Sequence, residues 1–311
     1  MSSPEGVVSR VTNDLDSYGS YSFGVTRDST TLVTLQDIFS YQIFAASGSY
    51  QTAEQLTHAG VNGQNGVDTD GKKVVFTGEK TESRTIWTTD FRGGGRVAVS
   101  ESGRFPKLSR DGKSIVFSDT DSHYNTNLWI VGSDGSGLRQ LTSDNSVYYG
   151  FFAPDGQSVY YSPLAPGFQN VYRMQLSGGT PEKVSELKAF LFDVSPDGQS
   201  LIVQYFDEPA NRRQTDILSI ATGKITQTIE LPETAGSQSW MPQGDAIAYV
   251  DNRNGVSNIW KMPLKGGANV QVTHFDAEEI ASYAFSADGK LVLSRGRHTS
   301  DVVLITNFRP R

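Results

Sequence analysis

Three observations predict an all-β fold for this 311-residue chain, and within that class a seven-bladed propeller of four-stranded antiparallel blades. A polar turn recurs at Asp28, Asp70, Asp111, Asp155, Asp197, Gln243 and Asp288, at spacings of 42, 41, 44, 42, 46 and 45 residues. Strand-like units repeating every 40–45 residues or so are the signature of a propeller. An apolar residue stands three positions before every turn (Val25, Val67, Leu108, Phe152, Val194, Trp240, Phe285). An aliphatic one stands four positions after it (Leu32, Val74, Ile115, Val159, Leu201, Ile247, Val292). The residue after the turn is Gly in six copies and Ser29 in the first, as a hairpin turn with positive φ favours.

Each unit opens with two strands, a and b, joined by this turn. A third strand, c, follows with alternating apolar residues: QIFAAS (42–47), TIWTTD (85–90), NLWIVGSD (127–134), NVYRMQL (170–176), DILSIAT (216–222), NIWKMPL (258–264) and DVVLITN (301–307). A short turn, Gly-rich in most copies, leads to a fourth, d, as in LRQLTSD and VQVTHFD. The last repeat stops after strand c. The opening VVSRVTND (7–14) matches strand d, so the N-terminal strand is expected to complete the last blade and close the ring, hiding sheet edges. One domain over 1–311 follows, with blades at about 17–58, 59–101, 102–144, 145–186, 187–232, 233–276 and 277–308 plus 7–14. A six-bladed ring with an irregular first repeat is the alternative, because repeat 1 lacks its Gly.

Hydrophobic residues make up 37% of the chain, enough for a sizeable core. The net charge of −7 argues against a nucleic-acid phosphate footprint. No apolar run reaches the roughly 18 residues of a membrane span, so no direct membrane insertion is expected. The start has no apolar signal core. With no cysteine, disulfides and thiolate metal sites are excluded. The compartment stays open: periplasmic if the chain is excised from a membrane-anchored receptor, cytoplasmic if Met1 is the native start.

Strand alternation places the a–b and c–d turns at one end of the ring and the b–c and d–a loops at the other. The a–b and c–d turns are short and stereotyped, and read as structural. The b–c and d–a loops are longer and irregular, the usual home of function on a rigid scaffold. They hold all four histidines, His58, His123, His274 and His298, with Arg84, Arg212, Arg253, Arg297 and Tyr124. Arg104, Tyr148 and Tyr283, near the starts of a strands, are expected to line the axis at the same end. This His- and Arg-rich face on an acidic protein is the expected binding site for a protein or small-molecule ligand.

Catalytic chemistry finds little support. A metal site on His58, His274 and His298 has no HxxH or HxxxH spacing behind it. DTDG (68–71) lacks the full calcium-loop pattern and reads as turn chemistry. There is no GxSxG elbow and no GxxxxGK[ST] loop. No cofactor, no metal and no catalytic residue is expected; the alternative is a lyase or hydrolase working in the central funnel.

The units FPKLSRDGKSIVFS, NLWIVGSDGSGLRQLT and NIWKMPLKGGANVQVTHF resemble TolB-like (WD-repeat-like) propeller repeats. The end, YVDNRNGVSNIWKMPL followed by FSADGKLVLSRGRHTSDVVLITNFR, is similar to the C-terminal propeller of bacterial membrane-anchored serine/threonine protein kinases and related winged-helix regulators. The resemblance implies a sensor or protein-interaction module of a bacterial signalling protein, here expected to be a monomer. It carries over no catalytic residue, and the chain itself has no HRD or DFG motif.

Overall fold

The computed structural model describes residues 18–80, 83–164 and 167–306. They are strands and turns throughout. The chain divides into two compact units, one running from Tyr41 to Gly296, the other made of the residues up to Ser40 together with those from Arg297 onward.

The larger unit is built on six four-stranded sheets. Blade I is β4 (Asn62–Thr69), β5 (Lys73–Lys80), β6 (Ser83–Asp90) and β7 (Val97–Ser100). Blade II is β8 (Arg104–Leu108), β9 (Ser114–Thr120), β10 (Thr126–Gly132) and β11 (Arg139–Gln140). Blade III is β12 (Val147–Phe152), β13 (Ser158–Pro163), β14 (Asn170–Gln175) and β15 (Glu182–Lys188). Blade IV is β16 (Phe190–Val194), β17 (Ser200–Asp207), β18 (Arg212–Ser219) and β19 (Ile225–Ile229). Blade V is β20 (Ala235–Trp240), β21 (Ala246–Arg253), β22 (Val256–Pro263) and β23 (Val270–Gln271). In each, chain order is sheet order. Blade VI joins the two ends of the chain: β24 (Glu279–Phe285), β25 (Leu291–Thr306), β2 (Thr31–Ala46) and β3 (Glu54–Gln55) lie side by side, and β1 (Tyr18–Val25) also pairs with β2.

The sequence repeat therefore overcounts the blades, and six replaces seven among the described residues. The first repeat is split. Its a–b hairpin is β1 and the start of β2, where Val25 and Phe23 stay 43% and 60% exposed rather than sandwiched between sheets. Its strands c and d, the end of β2 and β3, become the outer half of blade VI. The segment read as strand c of the last repeat (301–307) is, up to Thr306, the continuation of strand b, because β25 runs unbroken to that residue. The closing strand expected at 7–14 lies outside the described residues.

Six apolar clusters, one per blade interface, hold the ring. Val67, Val74 and Phe76 of blade I meet Ile43, Ala284 and Val292 of blade VI. Val75 and Ile86 meet Leu108, Ile115 and Phe117 of blade II. The series continues round to Ala248 and Ile259 of blade V, packed on Leu291 and Leu293 of blade VI. The alternate residues of each b strand thus serve two different neighbours, as the period of two requires.

The repeat motifs are structural devices. In NLW…QLT and NIW…QVT, Thr142 and Thr273 accept a hydrogen bond from the buried backbone N–H of Leu128 and Ile259, both at 2.9 Å. They donate to Asn127 and Asn258 at 3.1 and 3.0 Å. Thr57 does the same with Ile43 and Gln42, at 2.9 and 2.7 Å. Each Thr so satisfies a backbone donor that the two-residue d strand leaves over. In the turns, Ser109 and Ser195 donate to Asp111 and Asp197 at 2.7 and 2.6 Å. The following glycines take positive φ, and Ser29, the exception in sequence, takes it too (57°).

Candidate functional site

The long b–c segments expected to be irregular loops are mostly strand. Pairing runs to Lys80↔Ser83 in blade I, Asp207↔Arg212 in blade IV and Arg253↔Val256 in blade V. Arg84, Arg212 and Arg253 are accordingly strand residues. Arg297 and His298 lie in β25, in the smaller unit. His58, His123 and His274 are exposed in connections, as is Tyr124 at 87%. Arg253 is engaged: its Nε donates to the buried carboxylate of Asp251 at 2.8 Å, and its guanidinium covers the Trp260 ring at 4.9 Å. His298 stacks on Phe39 and meets Asp37 at 3.1 Å. Among the described residues no three His, Asp or Glu side chains gather as metal ligands.

Every innermost strand carries a register shift: between Asn62 and Val67, Arg104 and Lys107, Val147 and Gly150, Leu191 and Asp193, Gly236 and Ser239, and Ile280 and Ser282. Such bulges re-aim side chains. Before the shift, half-buried Arg104 and Tyr148 stand on β8 and β12. The rings of their neighbours Phe105 and Tyr149 meet at a tilt of 36° with centroids 4.4 Å apart, and Tyr149 meets Phe190 edge-on at 5.1 Å. Aromatic rings from blades II, III and IV thus interlock toward the b–c end.

After the shift the six strands present equivalent residues to the axis. Asp68, Lys107, Phe151, Asp193 and Ser239 all pair with the residue five positions after their turn; Ala284 holds the place in blade VI, whose turn is one residue shorter. All six line one cavity of about 200 Å³, together with Trp240, Tyr283 and the turn residues Asp70, Arg110 and Ala287. Because all six blades contribute, this cavity lies on the axis, at the end of the a–b turns. A second, wider groove of about 590 Å³ between blades VI and I opens among a–b and c–d turns too, including Lys72, Phe91 and Lys290. Both lie at the end that the sequence reading set aside as structural. Of the residues expected at the site, Tyr283 alone lines the axial cavity.

The cavity is charged and half-buried. Asp193 takes the Trp240 N–H on one carboxylate oxygen at 2.9 Å and the Val194 N–H on the other at 2.8 Å. Asp68 takes the Leu108 N–H at 2.7 Å. Each Asp thereby ties its blade to the next. Burial pushes both carboxyls upward, Asp193 to about 6; the Lys107 charge opposes this in each case. Lys107 also covers the Phe151 ring at 5.4 Å. Tyr283 donates to the Ser237 carbonyl at 2.8 Å and accepts from Ser239 at 3.1 Å; burial raises its phenol, so it stays protonated and serves as a donor, not a base. The arrangement can hold a small charged ligand against aromatic walls.

DTDG at 68–71 divides between two roles. Asp70 caps its own turn, accepting from Lys72 and Lys73 at 2.8 and 2.7 Å, while Asp68 faces the axis. Asp68, Lys107 and Asp193 were findable: each is a charged residue inside an a strand, two or four positions before a turn.

No protein-family model matches the chain. It is 31% identical over 83 residues to the Tol-Pal system protein TolB of Anaeromyxobacter dehalogenans (strain 2CP-C). That match spans 25% of this chain and 18% of the relative, less than a fifth of the relative's length. Among solved structures, the putative TolB from Agrobacterium tumefaciens is similar with a TM-score of 0.64 at 17% identity, covering 82% of this chain and 97% of that one. TolB from Acinetobacter baumannii is similar with a TM-score of 0.58 at 16% identity, covering 84% and 66%. The β-propeller domain of the Trilobed protease from Pyrococcus furiosus has a TM-score of 0.51 at 13% identity, covering 78% and 96%. These likenesses show the fold, a TolB-like β-propeller.

Proposed function

We propose that this chain is a non-catalytic recognition propeller, the ligand-sensing part of a bacterial signalling protein, and that its ligand sits in the axial cavity. The observation that carries this reading is the cavity itself, to which all six blades bring a side chain and in which two carboxylates and an ammonium share a half-buried site. Buried charges of this kind are costly and cluster where proteins bind. A rigid ring with one polar cavity suits binding. Ser239 meets Tyr283, whose phenol burial keeps protonated, so this pair offers hydrogen-bond donors to a ligand. Support for the signalling role comes from the resemblance of the repeats to sensor propellers.

The test is a thermal-shift screen of small charged and polar compounds on the wild type and on Ala287→Trp, a change at the exposed rim of the cavity. A binder must raise the melting temperature by mass action. The expected result is a shift in the wild type that is lost in Ala287→Trp and kept in Arg253→Glu, with the compound recovered chemically unchanged. A shift that survives Ala287→Trp would overturn the siting, and conversion of the compound would overturn the non-catalytic role.

A further inference from the structure

Resting on the reading that the axial cavity is the binding site, we propose that its ligand is a free zwitterion of amino-acid size, with its ammonium between Asp68 and Asp193 and its carboxylate on Lys107. The volume sets the size. About 200 Å³ is room for roughly seven waters and falls below the ~300 Å³ at which drug-sized pockets begin, which suits a ligand of a few heavy atoms. The charges set the chemistry. The half-buried Asp68 and Asp193 share the cavity with Lys107, and with Asp70 and Arg110 at its turns the lining carries three carboxylates against two cations, so an incoming ammonium stabilises both inner acids at once.

A carboxylate on the same ligand has a cation waiting. Lys107 is the cation both acids sense. Trp240, only 7% exposed, also lines the cavity, but its indole N–H is closed off from solvent, so the carboxylate falls to Lys107. Phe151 supplies an apolar wall for an aliphatic or aromatic side chain.

The experiment is calorimetric titration of the whole chain with L-serine and L-leucine, and with the N-acetyl and carboxamide form of each. The free amino acid is expected to bind at least tenfold tighter than either blocked form. Asp193→Asn should weaken it at least tenfold. Lys107→Met should erase the preference over the carboxamide, in variants whose circular dichroism matches the wild type. Equal binding of the N-acetyl form, or of the carboxamide, would overturn the zwitterion. If neither amino acid binds while another compound gives a shift that Ala287→Trp abolishes, the zwitterion fails and the axial site stands. If nothing shifts the melting temperature, both fall.

Discussion

Replacing Asp193 by Asn removes a carboxylate whose ionised form the fold disfavours. Its two oxygens are held by the Val194 and Trp240 N–H groups, and an amide oxygen can still accept from Trp240. Burial is the dominant influence and lifts the folded group to about 6, against 3.8 for the unfolded reference. Between those values the folded protein keeps a proton that the unfolded chain has released. Stability from this group is therefore complete below about pH 4, falls as pH rises and is lost above about pH 6. Two pH units at about 1.4 kcal/mol each give a ceiling of about 3 kcal/mol. Asp68, raised by burial in the same direction and sensing the same Lys107, remains in the variant and shares the titration, so the observed value should fall below that ceiling. Acids lowered by turn hydrogen bonds, such as Asp111 and Asp197, act with the opposite sign but are common to both proteins and cancel in the difference. Urea unfolding followed by tryptophan fluorescence at pH 4, 5, 6 and 7 should show Asp193→Asn gaining steadily on the wild type as pH rises. A difference that does not change with pH, or that runs the other way, would refute the assignment of a buried, proton-retaining carboxyl on the axis.

Further outcomes follow from the packing. Thr273→Val strands the Ile259 N–H and removes one of the two donors to the Asn258 side-chain oxygen, and should cost about 1–3 kcal/mol in urea unfolding. Trp240→Ala empties the interface it shares with Ile202, Ile217 and Ile247, at an expected cost of about 3–5 kcal/mol; a melting curve identical to the wild type would contradict it. Gly103→Ala places a methyl 2.5 Å from the Phe117 ring on a backbone at φ 138°, and should lower the melting temperature by the equivalent of at least about 1–3 kcal/mol.

Much of the fold was legible because local rules set it. The Ser/Thr-x-Asp-Gly turns fold on their own hydrogen bonds, as Ser109 with Asp111 shows, and alternation sorts the strand faces. The NLW and QLT segments lie close enough in sequence for Thr142 to reach Leu128. Blade number was not settled in this way, since a strand's partner is absent from its repeat. The first repeat has the turn and the apolar marks of a blade, yet the end of β2 lies between β25 and β3, which only ring closure brings together. The b–c segments looked like loops because Arg, Glu and Asn are common there. Continued backbone pairing, as at Asp207↔Arg212, made them hairpins.

The site shows the same division more sharply. His and Arg drew attention to the b–c end by their number. Residues that meet on the axis are about 40 positions apart in the chain, and each, taken alone, occupies an ordinary strand position. The sequence by itself determined the blade: strand, turn, strand, and the Thr and Asp that satisfy backbone donors within it. The tertiary structure alone decided how many blades close the ring and that Asp68, Lys107 and Asp193 share one cavity. The reason is physical: turn and alternation energies act over a few residues, while burial and charge coupling depend on neighbours that only closure supplies.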